Sequence, residues 1–226
     1  MSFRNPFVLG LVAIAALAAL FVTSLKRIET GEVGLRIHFD KTTDATELLP
    51  GSFNQTLIGS VLTFKVQDVA VAVDNMTPLA LDNSTVKDFD MTVVYSVNPA
   101  AVSELWTTKN KTFHGLTEKG DDILLMQNYV ALSARNAAYK VARGYEALRM
   151  ADNRPQIEQQ IRELIGKTLA EEKLMDKITV SQVQVRAIVP ADVIVQSANE
   201  LVRAQNELKT KEVEVQTAKK EAERIA

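Results

Sequence analysis

The residues that could do chemistry are few: two histidines, some neighbouring carboxylates and one serine–lysine spacing. His38 and His114 lie far apart, with His38 on the polar face of a strand pattern. A two-histidine metal site or a triad therefore lacks its companions, and each histidine is expected at the surface. Asp121 and Asp122 are placed like a carboxylate pair at a helix start, where the dipole favours them, and Glu171 and Glu172 fall in a helical charge run. Neither pair has the supporting groups that acid/base work requires. Ser133 and Lys140 share one helical segment, the single arrangement that suggests a hydrolase, but no base is placed to activate the serine. Gly31 and Gly34 precede a strand where a phosphate loop needs a helix. Trp106 reads as a core or interface aromatic. The Asn-x-Thr sequons at Asn54, Asn75, Asn83 and Asn110 matter only in a eukaryotic lumenal protein. No catalytic residue, metal or cofactor is expected.

Composition narrows the classes further. The 226 residues are 46% hydrophobic and 24% charged, enough apolar mass for a core. The charges nearly cancel to a net −2, so there is no basic field for nucleic acid. Without cysteine there are no disulfides, thiolate sites or cysteine nucleophile. Stability must come from packing and assembly.

The elements that would position any site begin with an uncharged run from Phe7 to Leu25. It carries Phe7, Leu11, Ile14, Leu17, Leu20, Phe21 and Leu25, and at about 1.5 Å per residue reaches roughly 28 Å, close to the hydrocarbon thickness of a bilayer. A transmembrane anchor over residues 1–27 is the expectation. The alternative is a cleaved signal peptide with Ala16-Leu17-Ala18 as its small-x-small site, although the apolar run continues past it through Leu20, Phe21 and Val22. Arg4 and the amino terminus on one side nearly balance Lys26 and Arg27 on the other, so charge does not set sidedness.

Beyond the run, Val33, Leu35, Ile37 and Phe39 alternate with polar or small residues, the period of a half-buried strand. After the Pro50-Gly51 turn, Leu57, Ile58, Val61, Leu62 and Phe64 make an apolar stretch with two open readings: a buried strand, or a loop dipping into the bilayer. Two strands follow, with Val69, Val71 and Val73 on one face, then Phe89, Met91, Val93, Tyr95 and Val97. After Asn98-Pro99 the spacing turns helical. Ile123, Val130, Ala134, Ala137 and Val141 form one stripe, stopped at Gly144. Asp152 or Asn153 caps a second helix with Pro155 in its first turn and Ile157, Ile161, Leu164, Ile165 and Leu169 inward. Ile178, Val180, Val183 and Val185 change parity around Ser181 and Gln182, which predicts a bulge in the strand closed by Pro190.

From Ala191 to Ala226 there is no glycine or proline. Ile194, Leu201, Leu208, Val215 and Ala222 recur every seven residues, while the companions Ala198, Gln205, Glu212, Lys219 and Ala226 are only partly apolar. This half seam fits a helix packed beside several like neighbours; a solvated helix with charge pairs is the other reading. With no capping residue at its end, the natural helix is expected to run further.

In order, these fragments resemble the family of stomatin, prohibitin, flotillin and HflK/C, also called band 7 or SPFH. Glu29-Thr30-Gly31-Glu32-Val33-Gly34-Leu35-Arg36 looks like its opening strand and Leu49-Pro50-Gly51 like its turn. Leu81–Val86 with Met91–Val97 resembles its long paired strands, and Ile178–Val185 with Ile188, Pro190 and Val193 its closing strand and helix entry. The family's Ile-Pro-Phe type segment is replaced by Leu57-Ile58-Gly59-Ser60, and an Arg expected near Ala70 to Val73 is absent. The early anchor and compact spacing resemble most the bacterial HflC-like branch.

The resemblance implies an α+β fold: the anchor at 1–27, two small SPFH subdomains at 28–97 and 98–190 with mixed or antiparallel sheets, and from 191 to 226 the start of a long coiled-coil-type helix. It implies a scaffold and not an enzyme, in which the chain or a homologue closes a ring or cage around a membrane patch, with Ile194, Ala198, Leu201, Leu208, Val215 and Ala222 as the seam. Membrane lipids are the expected partners, with a membrane-bound AAA protease as a candidate. The implied location is the bacterial inner membrane, with the bulk of the chain outside the cytoplasm. A tethered adaptor that forms no cage is the alternative.

Overall fold

Alternation at period two builds the largest sheet. The computed structural model describes residues 6–56, 58–117, 120 and 122–225, with no side chain described at 6–9, 55 or 225. Strands β5 (Val69–Met76), β6 (Val86–Val97) and β9 (Ile178–Pro190) pair antiparallel in the order β5-β6-β9. One face buries Val71, Val73, Met91, Val93, Tyr95 and Val185. Against it lie α3 (Gln127–Ala142), through Val130, Ala134, Ala137 and Val141, and α4 (Arg154–Glu171), through Ile157, Ile161, Ile165 and Leu169. The bulge expected at Ser181 is present: Val94 opposes Gln182 but Tyr95 opposes Val180, leaving Ser181 unmatched.

The sheet nearer the start of the chain joins β2 (Glu32–Ile37), β4 (Ser60–Lys65), β8 (Ile123–Leu124) and β7 (Gly115–Leu116) in the order β2-β4-β8-β7. The β4–β8 pairing is parallel and the other two are antiparallel, so the sheet is mixed. A short ribbon of β1 (Leu25–Arg27) and β3 (Phe53–Gln55) stands beside it, and α2 (Val102–Thr108) links the two halves. Pairing crosses residue 97 in both directions: β9 returns to β6, and β7 and β8 extend the sheet of β2 and β4. Leu35 and Phe64 belong to the same core as Tyr95 and Leu125.

Several expectations change. Ile123, placed on a helical stripe, is in β8. Phe39, placed on the buried face of the first strand, lies beyond the end of β2 and is 87% exposed. Asn153 begins α4 without a side-chain cap bond; its amide donates to the Arg149 carbonyl, and Pro155 sits in the first turn.

Helix α1 (Pro6–Thr23) is 18 residues, about 27 Å, and uncharged, with Leu11, Ile14, Leu17, Leu20 and Phe21 exposed. Leu25, expected in the span, has left the helix for β1, because its backbone pairs with Gln55. The side chain of Phe7 lies outside the described residues. Among the described residues no helix is long and apolar enough to cross a membrane, so the full span expected from Phe7 to Leu25 is not found. The chain ends in α5 (Asp192–Ile225), 34 residues long.

Candidate membrane-facing and assembly surfaces

The polar groups singled out in the sequence are dispersed. His38 is exposed and pairs with the Asp44 carboxylate at 2.8 Å. His114, expected at the surface, is buried: its Nδ1 accepts from the Met126 N–H at 3.1 Å, its Nε2 has no partner, and its ring lies 5.3 Å from that of Trp106. Burial holds its pKa below the ordinary histidine value. Trp106 also packs edge-on to Phe64, with Lys111 Nζ 5.7 Å above its ring, so it is a half-buried aromatic at the edge of the core with one charged neighbour. Asp122 does not start a helix; it accepts from the Thr63 hydroxyl at 2.9 Å just before β8, and Asp121 lies outside the described residues. Glu172 pairs with Lys109 at 3.7 Å.

Ser133 and Lys140 both line a cavity of about 290 Å³ between α3 and α4. Two helical turns, about 10.5 Å, separate them along α3, too far for one to activate the other. Ser133 is itself buried. Among the described residues no cluster of His, Asp and Glu is placed to hold a metal ion.

Two apolar surfaces remain. The first surrounds the exit of α1. Thr56 donates its N–H to the Ser24 carbonyl at 2.8 Å, and Arg27 lies 5.4 Å over the ring of Phe53, which is 63% exposed. Ile58 is 66% exposed. Val61 and Phe64 are buried in β4 and Leu62 is half-buried, because β4 pairs on both edges, so these three do not form a dipping loop. Leu57 lies outside the described residues. Phe53 carries this surface and Phe39 is exposed past the end of β2; the sequence reading placed neither at a surface. The Asp40-Lys41-Thr42 turn that ends the strand alternation before Phe39 was the available signal.

The second surface is α5. Ile194 and Ala198 are half-buried next to the body; Leu201, Leu208 and Val215 are largely exposed, as is Ala222. Two contacts fix the helix entry: Ala191 N–H to the Thr85 carbonyl at 3.2 Å, and Lys87 Nζ to the Asp192 carboxylate at 2.8 Å. That ion pair at the helix start was not anticipated.

A mixed α+β body leading into a long terminal helix is the arrangement on which the family comparison bears. The model of the SPFH domain / band 7 family matches residues 26–222, and the chain belongs to that family. No curated protein matches the chain.

Proposed function

We propose that this chain is a subunit of an oligomeric membrane scaffold and works by enclosure, not catalysis. The observation that carries the reading is α5: 34 residues of helix that expose Leu201, Leu208 and Val215 on a seven-residue repeat. An apolar stripe of that length gains stability only when another surface covers it, and a like helix from a neighbouring copy supplies the matching repeat. Repeated head-to-tail contact closes into a ring when the rotation allows. The apolar α1 enters the bilayer as anchor, the body sits on the lipid surface, and the α5 helices form a wall.

In this reading a closed ring isolates a lipid patch and limits access to the membrane proteins inside it. A membrane-bound AAA protease is a fitting occupant for the HflC-like branch, in a bacterial inner membrane with the body outside the cytoplasm. The ring contains this chain alone or alternates it with a homologue.

Mass photometry of protein extracted in mild detergent tests the assembly. Particles of many subunits are expected. Monomers with α5 intact would overturn enclosure and leave a membrane-tethered adaptor.

A further inference from the structure

The height of each loop above the end of α1 can be read from the ribbon and the first sheet. Ile28 marks the crossing: a Cβ on Gly34 would lie 2.5 Å from Ile28 Cδ1, and Ile28 exchanges backbone bonds with Gly51 and Ser52. From that crossing β1 leads back to Leu25 at the exit of α1, and β2 leads forward to Ile37, about 10 Å in each case at ~3.3 Å per residue. Both lead the same way. Lys26 Nζ reaches the Val61 carbonyl at 3.4 Å, and Val61 stands opposite Arg36. The turn that follows Ile37 is therefore level with the end of α1. Ile58 is at that level too, just before Ser60, the partner of Ile37.

That turn is held in one shape. His38 N–H donates to the Thr42 carbonyl at 2.9 Å, and Lys41 N–H to the His38 carbonyl at 3.0 Å, with Lys41 in the left-handed region at φ 65°. Its two carboxylates fold back. The Asp40 carboxylate accepts from the Thr42 N–H at 3.0 Å and hydroxyl at 2.6 Å, and the Asp44 carboxylate engages His38. Phe39 is left 87% exposed.

We propose that Phe39 is an apolar foot that enters the boundary between headgroups and acyl chains of the bilayer holding α1. The foot fixes the height and tilt of the body over the lipid; the proposal rests on the reading of α1 as an anchor. Lipid fits better than a second copy for two reasons. The foot is level with the helix exit, and the carboxylates beside it are bonded within the turn, which leaves the Phe39 ring and the Lys41 side chain exposed together, an apolar group and a cation suited to that boundary. Arg27 over Phe53, just above, is the cation–aromatic pairing suited to the headgroup layer.

The chain has no cysteine, so single labels can be placed without removing any. The full chain in phosphatidylcholine–phosphatidylglycerol liposomes would carry an environment-sensitive fluorophore at Phe39→Cys, Leu17→Cys or Lys209→Cys, with a doxyl quencher on the lipid near the headgroup. Loss of fluorescence at 39 and 17, and not at 209, is the expected result. Quenching at 17 with none at 39 overturns the foot and leaves the anchor standing. A blue-shifted but unquenched label at 39 also overturns it, because protein then covers the turn. An unquenched label at 17 refutes the anchor, and the foot falls with it.

Discussion

Replacing Leu201 and Leu208 together by lysine targets the surface that assembly depends on and spares the core. Full burial of a leucine contributes about 1.5–3 kcal/mol. With Leu201 61% and Leu208 63% exposed in the single chain, roughly 1–2 kcal/mol remains to be gained from each in a neighbour contact. The pair is then worth about 2–4 kcal/mol per contact, or roughly 30- to 700-fold in association at 1.4 kcal/mol per tenfold. The effect is multiplied around a ring, because every subunit loses the same contact. Lysine stems cover some apolar surface, which favours the lower half of that range. The assay is particle mass in mild detergent across a dilution series, with far-UV circular dichroism as the check on folding. The double variant should fall apart at concentrations where the parent stays assembled, with unchanged helicity. Asn199→Lys with Asn206→Lys adds the same charge to the opposite side of α5 and should leave assembly intact. Equal particle mass for parent and seam variant would refute the seam, and equal loss in both variants would make added charge the cause.

Three further outcomes test the body. Tyr95→Phe removes the hydroxyl that donates to the Leu125 carbonyl at 2.8 Å; an orphaned buried acceptor costs about 1–3 kcal/mol, so Tm should fall by roughly 2–12 °C, and an unchanged melt would refute that bond's role. Because burial depresses the His114 pKa, the neutral ring favours the folded state: its stabilisation is complete above the ordinary value of 6.5 and is lost as pH falls through the folded value. Protonation of Nδ1 would end its bond with the Met126 N–H and add a second positive charge near Lys111, so the urea midpoint should drop from pH 7 to 5.5 more steeply in the parent than in His114→Gln. Parallel profiles would contradict this. Gly34→Ala places a Cβ 2.5 Å from Ile28 Cδ1 and 3.2 Å from Leu48 Cβ, and should destabilise by about 1–3 kcal/mol in chemical denaturation.

The parts of the fold legible in the sequence are those where one side chain after another reports the same burial. Val69–Val73 and Phe89–Val97 alternate because helices cover only one face of their sheet, and Ile157, Ile161 and Ile165 recur because α4 lies on that face. The parity change at Ser181 reported the bulge by the same logic. Strands held by non-local pairing left no such trace. Ile123 and Leu124 are a strand only because Phe64 and Lys65 pair with them, and two residues carry no period. Phe39 continued the alternation of β2, yet alternation does not mark where a strand ends; the Asp40–Thr42 turn does. His114 was missed because its burial comes from Trp106 and the start of α3, neither of them its chain neighbour. Of the candidate surfaces, the α5 repeat was readable residue by residue, whereas the foot required the height relation between β1 and β2.

Single-particle electron microscopy of the intact protein in lipid nanodiscs or mild detergent tests enclosure most directly. The account predicts closed rings or cages with the α5 helices side by side as a wall and the bodies at its base, against the lipid. Dispersed single subunits, each with its α5 extended and uncovered, would contradict it.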